Sequence, residues 1–106
     1  MEKKFINSEN VDCNGTSFKG DISNVSYRKL VKVFGKETFG MSGDEKSQCE
    51  WNIQFEDGTV ATIYDWKVNK KYCGKEGLSK SKVTEWHIGG HSSKAVELVK
   101  EALNYL

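Results

Sequence analysis

Residues 49–66, "CEWNIQFEDGTVATIYDW", predict the centre of a β-sheet. Apolar and polar side chains alternate from Cys49 to Glu56, which is the period of a strand with one buried face. Asp57-Gly58 follows as a strong hairpin signal, and a second run rich in β-branched and aromatic residues comes after it. We therefore expect two antiparallel strands joined by a tight turn.

The pairing register of this hairpin stays open at the level of sequence. A two-residue turn would pair Phe55 with Val60 and stack the aromatic side chains of both strands on one face. A three-residue loop with a bulge would instead turn Ala61 and Ile63 to that face.

The segment before the hairpin predicts a short strand and a helix. Residues 1–15 are polar and read as a loose lead-in, and "TSFKGDI" at 16–22 is a candidate strand. Ser26 is a helix N-cap and Gly35 its C-terminal stop. The side chains between them that share one helical face are Tyr27, Leu30, Val31 and Phe34.

The segment after the hairpin predicts a third sheet strand and a second helix. "VTEWHI" at 83–88 places Trp86 and Ile88 on one face and His87 on the other. Ser92 or Ser93 would cap the helix that follows. Its inner stripe is predicted to be Val96, Val99, Leu103 and Leu106, flanked by Ala95 and Ala102.

These elements predict one α+β domain over residues 1–106. The expected order is β-α-β-β-β-α, with an antiparallel sheet of about four strands and two helices on one of its faces. This arrangement is a two-layer sandwich, because a sheet with one covered face buries the apolar stripes of both helices.

Composition excludes several classes of function. The net charge is +1 and Arg28 is the only arginine, so sequence-specific DNA recognition is not expected. No apolar stretch is long enough to cross a bilayer, and we expect a cytoplasmic protein without a membrane partner. Cys13, Cys49 and Cys73 are widely spaced, which favours reduced thiols over disulfides or a zinc ribbon.

The stretch "TEWHIGGHSSKAVELVKEAL" at 84–103 contains the first candidate site. Glycines between a strand and a helix start leave helical N–H groups open to an anion. Nearby histidines, a tryptophan and a lysine could complete a nucleotide site. The residues are Trp86, His87, Gly89, Gly90, His91 and Lys94. The alternative is a tight strand-to-helix turn with a serine cap, and a buried role for the tryptophan.

Metal binding and catalysis receive little support. His87 and His91 have the spacing of two ligands on a helix, but the intervening glycines break such a helix. Only Cys73 has a lysine-rich neighbourhood that would activate a thiol, and no recognised catalytic motif accompanies it. We expect no enzyme activity, no metal and no cofactor.

The second candidate site is the lysine-rich connection after the hairpin, which could attract an acidic protein surface. Its residues are Trp66, Lys67, Lys70, Lys71, Tyr72 and Lys75. Trp66 lies at the end of its strand, and an edge tryptophan is a common binding anchor. The alternative is a solvated loop.

Three segments, "YRKLVKVFGK", "EWNIQFEDGTVATIYDWK" and "TEWHIGGHSSKAVELV", resemble small proteins predicted from bacteriophage and prophage genomes over about residues 20–103. The layout is also similar to modules of the beta-lactamase-inhibitor-protein type, which bind proteins with a sheet face. The phage resemblance implies a non-enzymatic inhibitor of a bacterial defence system, of the anti-CRISPR or a similar type, which binds a host defence protein. The alternative is a sponge that sequesters a cyclic or other signalling nucleotide, for which a homo-oligomer would complete the pocket.

Overall fold

The computed structural model describes residues 5–40, 42–43, 46–66, 73–74 and 77–104. The described elements follow one another as β-β-α-β-β-β-α. The strands are β1 Phe5–Asn7, β2 Ser17–Ile22, β3 Glu50–Phe55, β4 Val60–Tyr64 and β5 Trp86–Gly90. The helices are α1 Tyr27–Phe34 and α2 Lys94–Ala102, and a 3-10 turn covers Lys80–Lys82.

The described strands form one antiparallel sheet in the order β1-β3-β4-β5-β2. The predicted α+β class is confirmed, but the sheet has five strands and not about four. The additional strand is β1, within the segment expected to be a loose lead-in. Its three residues pair with Phe55 to Ile53, and Phe5 packs 4.9 Å from the Phe34 ring.

The front face of the sheet carries the core, and α1 and α2 pack on it. Trp51 and Trp86 are fully buried there with an edge-to-face ring separation of 5.5 Å. Each indole N–H donates to a backbone carbonyl beside α1: Trp51 Nε1 to Gly35 O at 2.8 Å, and Trp86 Nε1 to Val25 O at 2.7 Å. Both tryptophans therefore bury a large apolar surface without leaving a polar atom unpaired.

The β3–β4 hairpin adopts the three-residue register. Ile53 pairs with Ala61 and Trp51 with Ile63, so that Ala61 and Ile63 join the core on the front face. Gly58 adopts φ +92°, as the last loop residue of such a hairpin requires. This register turns Tyr64 to the back face, away from Trp51.

Helix α1 begins and ends as predicted. Ser26 Oγ accepts the Lys29 N–H at 3.0 Å, and Gly35 adopts φ +91° and donates its N–H to Val31 O at 2.8 Å. Leu30 and Phe34 are buried in the core.

Helix α2 packs on β5, β2 and β4. Its buried residues are Ala95, Leu98 and Val99, followed by Leu103, so Leu98 is a core residue that the predicted stripe omits. Val96 is only partly buried against Gly20 of β2. Leu106 lies outside the described residues.

The connection between β1 and β2 covers the middle of the back face. These two strands lie at opposite edges of the sheet, so residues 8–16 must pass from one edge to the other. The Ser8 N–H donates to Asn52 O at 3.2 Å, and Val11 is buried. The back-facing Asn52 and Thr62 side chains are buried as well.

No helix among the described residues is long and apolar enough to span a membrane.

Candidate functional site

Gly89 and Gly90 lie within β5 and are buried. A Cβ at Gly89 would lie 2.5 Å from Thr62 Oγ1, and one at Gly90 would lie 2.4 Å from Ala95 Cβ. These distances are too short for a side chain, so close packing of β5 against β4 and α2 is sufficient to explain both glycines. The turn into α2 comes after them.

The remaining members of the predicted nucleotide site are dispersed. Trp86 is fully buried in the core, on the front face of the sheet and opposite Ile22. Lys94 Nζ lies 2.8 Å from Asp57 Oδ2. His91 is exposed beyond the strand end, beside the Gly15 turn.

The start of α2 is capped by Ser92, one of the two predicted serines. Ser93 makes no side-chain cap hydrogen bond. Ser92 Oγ accepts the Lys94 N–H at 3.3 Å. A serine therefore supports the helix start, but it does so from two residues before Lys94 and with a long bond.

A continuous set of rings lies on the back face of the sheet, across β2, β5 and β4. Phe18 and His87 are 4.8 Å apart, His87 and Tyr64 are 5.6 Å apart, and Tyr64 and Trp66 are 6.1 Å apart, each measured between ring centres. Phe18 is 53% and Trp66 38% exposed. We refer to Phe18, Tyr64, Trp66 and His87 as the aromatic surface.

The sheet register assembles this surface from distant parts of the chain. Tyr64 pairs with His87, and Gly89 pairs with Phe18. Because Gly89 has no side chain, the Phe18 ring can lie over the neighbouring His87 ring. A β-bulge between Phe18 and Gly20 changes the direction of β2 at this point.

Asp65 anchors the chain between Tyr64 and Trp66. Its carboxylate is fully buried and accepts backbone N–H groups from Gln48 at 2.8 Å and Cys49 at 3.1 Å. These bonds tie the end of β4 to the segment that enters β3. Trp66, the predicted edge anchor, therefore directly follows Asp65, whose position is held by these two hydrogen bonds.

Charged groups flank the aromatic surface. Glu50 pairs with Tyr64 in the sheet, and burial raises the pKa of its carboxyl group. Burial, and next the charge of Glu50, raise the pKa of the Tyr64 phenol. Lys46 Nζ lies 5.6 Å from the centre of the Trp66 ring, within the range of a cation–π contact.

A cleft of about 250 Å³ opens at one end of the aromatic surface. Trp66 and His87 line it together with two carboxylates, Asp21 and Glu85, and with Ile22 and Ser23. Asp21 and Glu85 give this lining an acidic character. The cleft can therefore accept an apolar or cationic group, and it disfavours an anion.

The other members of the predicted lysine-rich site, Lys67, Lys70, Lys71, Tyr72 and Lys75, lie outside the described residues. Trp66 is thus the member of that set whose position is known. It belongs to the aromatic surface.

The cysteines form no disulfide and differ in burial. Burial, with the charge of Asp65 as the next cause, raises the pKa of the Cys49 thiol far above its ordinary value. Burial, followed by the charges of Glu50 and Asp12, raises the pKa of Cys13. Cys73 is exposed. The described residues contain no group of three or more His, Cys, Asp or Glu side chains that could hold a metal ion.

Sequence reasoning missed Phe18, Tyr64, Asp21 and Glu85 as site residues. Phe18 and Asp21 belong to a predicted strand, in which strict alternation would place them on opposite faces. The β-bulge between Phe18 and Gly20 places both on the same face. Tyr64 was expected beside Trp51 in one of the two hairpin registers. A choice of the bulged register would have placed it correctly.

No protein-family model matches this chain, and no curated protein matches it significantly. The resemblance to phage proteins therefore stays a prediction.

Proposed function

We propose that this protein is a non-enzymatic, stoichiometric inhibitor that binds a protein partner through its aromatic surface. The observation that carries the proposal is the row of Phe18, His87, Tyr64 and Trp66 on the back face, in which Phe18 and Trp66 are exposed and the other two rings are half-buried. Contiguous exposed aromatic groups are typical of interaction sites in otherwise soluble domains, and aromatic side chains supply much of the binding energy at interfaces.

The resemblance to phage proteins supports a bacterial defence protein as the partner class, met in the host cytoplasm. Inhibition would follow from occupancy of the partner's surface. This mode needs no catalytic group, and a rigid sheet face gives preorganised side chains that lose little entropy on binding.

The test is affinity capture from bacterial lysate with three forms of the protein. Phe18→Ser combined with Trp66→Ser removes the two most exposed rings of the aromatic surface. Ile6→Ser is the matched control, because Ile6 is also exposed, at 56%, but lies on the edge strand β1.

We expect a partner that the wild type and the Ile6 variant retain in a one-to-one complex, with affinity reduced at least about tenfold in the double variant. Equal retention by all three forms would contradict the proposed surface. The captured complex is then assayed for loss of the partner's own activity.

Sequestration of a signalling nucleotide is the competing proposal. The start of α2 offers it little among the described residues, since Lys94 pairs with Asp57 and the glycines are packed. A thermal-shift panel of cyclic and linear nucleotides tests it. A shift that Lys94→Ala abolishes would favour the nucleotide, and no shift would favour the protein partner.

A further inference from the structure

We propose that the cleft beside Trp66 receives an arginine side chain from the partner. This inference rests on the proposed function and adds the chemistry that would give the surface its specificity. Three features of the cleft lead to it: its wall, its charge and its position.

The wall is formed by the Trp66 and His87 side chains. Trp66 is 38% exposed, so a second molecule can reach this residue. A planar guanidinium can stack on an indole face, and tryptophan is the aromatic side chain that attracts cations most strongly. The nearby Lys46 ammonium shows that this ring already takes part in one contact of this kind.

The charge of the cleft comes from Asp21 on β2 and from Glu85, immediately before β5. Asp21 pairs with His87 across the two strands, so Asp21 is directly adjacent to one of the two residues that form the wall. Two carboxylates at one cleft suit the forked donors of arginine, which can bond to each of them. Lysine would form weaker contacts here, because its ammonium is more strongly hydrated and lacks the planar fork.

The position of the cleft couples it to the aromatic surface. Trp66 and His87 belong to both, so a partner that covers the rings brings its own side chains to the cleft entrance. Partial exclusion of water by such a partner strengthens the attraction between the guanidinium and the carboxylates. The carboxylates then reject an acidic group at the same place, which is a source of specificity.

The direct test uses N-acetyl-arginine amide as the probe and its citrulline counterpart as the neutral control of the same shape. The ¹⁵N-labelled protein is titrated with each, and the spectra follow the Trp66 indole N–H and the His87 backbone N–H. Asp21→Asn with Glu85→Gln removes both charges while nearly preserving shape. Glu97→Gln, at an exposed carboxylate of α2, is the control variant.

We expect saturable shifts at Trp66 and His87 with the arginine probe and much weaker shifts with citrulline. The double variant should bind the arginine probe about fivefold more weakly, and Glu97→Gln should bind it as the wild type does. Absence of saturable shifts, equal shifts with citrulline, or an unchanged affinity in the double variant would each overturn the inference.

Affinity capture separates this inference from the proposed function. If the Asp21 and Glu85 double variant retains the partner fully while the Phe18 and Trp66 double variant loses it, the aromatic surface stands and the arginine site fails. If the arginine probe binds at the cleft while no partner depends on Phe18 and Trp66, the cleft stands and the proposed function fails.

Discussion

At the scale of one residue, a substitution at Gly90 tests whether close packing requires a glycine there. An added Cβ would lie 2.4 Å from Ala95 Cβ and 3.1 Å from Val60 O, and neither neighbour is the flexible end of a side chain. We expect Gly90→Ala to lower the free energy of unfolding by about 1 to 3 kcal/mol, measured by urea denaturation.

Gly40→Ala is the control for this substitution, because a Cβ there would meet nothing within 4 Å. Its effect should stay within about 0.5 kcal/mol. Equal stability of the two variants would mean that Gly90 and Ala95 are farther apart than the contact distance requires. This result would contradict the close packing of β5 against α2.

The cysteines give a second prediction at the residue scale. The thiolate is the reactive form, so the burial that raises the pKa of Cys49 and, less strongly, of Cys13 should slow their modification. With Ellman's reagent at pH 8 we expect Cys73 to react first, Cys13 more slowly, and Cys49 only in denaturant. Single-cysteine variants assign each phase, and rapid native reaction of Cys49 would contradict its burial.

At the scale of elements, Glu37 joins the end of α1 to the 3-10 turn at Lys80–Lys82. Its carboxylate accepts from Tyr27 OH at 2.5 Å and from Lys80 Nζ at 2.9 Å, while its side chain is only 5% exposed. Burial alone would raise the pKa of this carboxyl group, but the hydrogen bonds from Lys80 and Tyr27 outweigh burial and hold the pKa below its ordinary value of 4.5.

A carboxyl group whose pKa is lower in the folded than in the unfolded protein stabilises the fold at pH values above the unfolded pKa. This contribution is lost as the pH falls through the folded pKa. Glu37→Gln should therefore cost about 1 to 2 kcal/mol at pH 7, with a smaller difference from wild type below about pH 4.5. Urea denaturation at neutral and acidic pH measures both values. Glu56→Gln, at an exposed turn position, should show no such convergence, and a pH-independent cost at Glu37 would contradict the bonding described.

The sequence predicts the elements with strong local signals and misses those that depend on tertiary pairing. Helix α1 carries its own cap and its own stop, so both ends were predictable. Strand β1 has only three residues, too few to show a period, and it exists because it pairs with β3. The two hairpin registers differ in whether Glu56 belongs to the strand or to the loop, and this difference decides whether Tyr64 lies beside Trp51 or on the aromatic surface.

At the scale of the whole molecule, the two faces of the sheet have different roles. The helices cover the front face, and residues 8–16 cover the middle of the back. The aromatic surface and its acidic cleft lie at the end where β2, β5 and β4 meet, and Phe18 and Trp66 are exposed there. This division could not be derived from sequence, because the strand order that places β1 and β2 at opposite edges depends on contacts between distant segments.

The central claim, that the aromatic surface binds the partner, is tested most directly by the three indole N–H signals in the complex. Trp51 and Trp86 are fully buried on the front face, whereas Trp66 is exposed on the aromatic surface. The ¹⁵N-labelled protein is mixed with the captured, unlabelled partner. We predict that the Trp66 signal moves or broadens most, together with the backbone signals of Phe18 and His87. Changes confined to the helices of the front layer, with an unperturbed Trp66, would contradict the account.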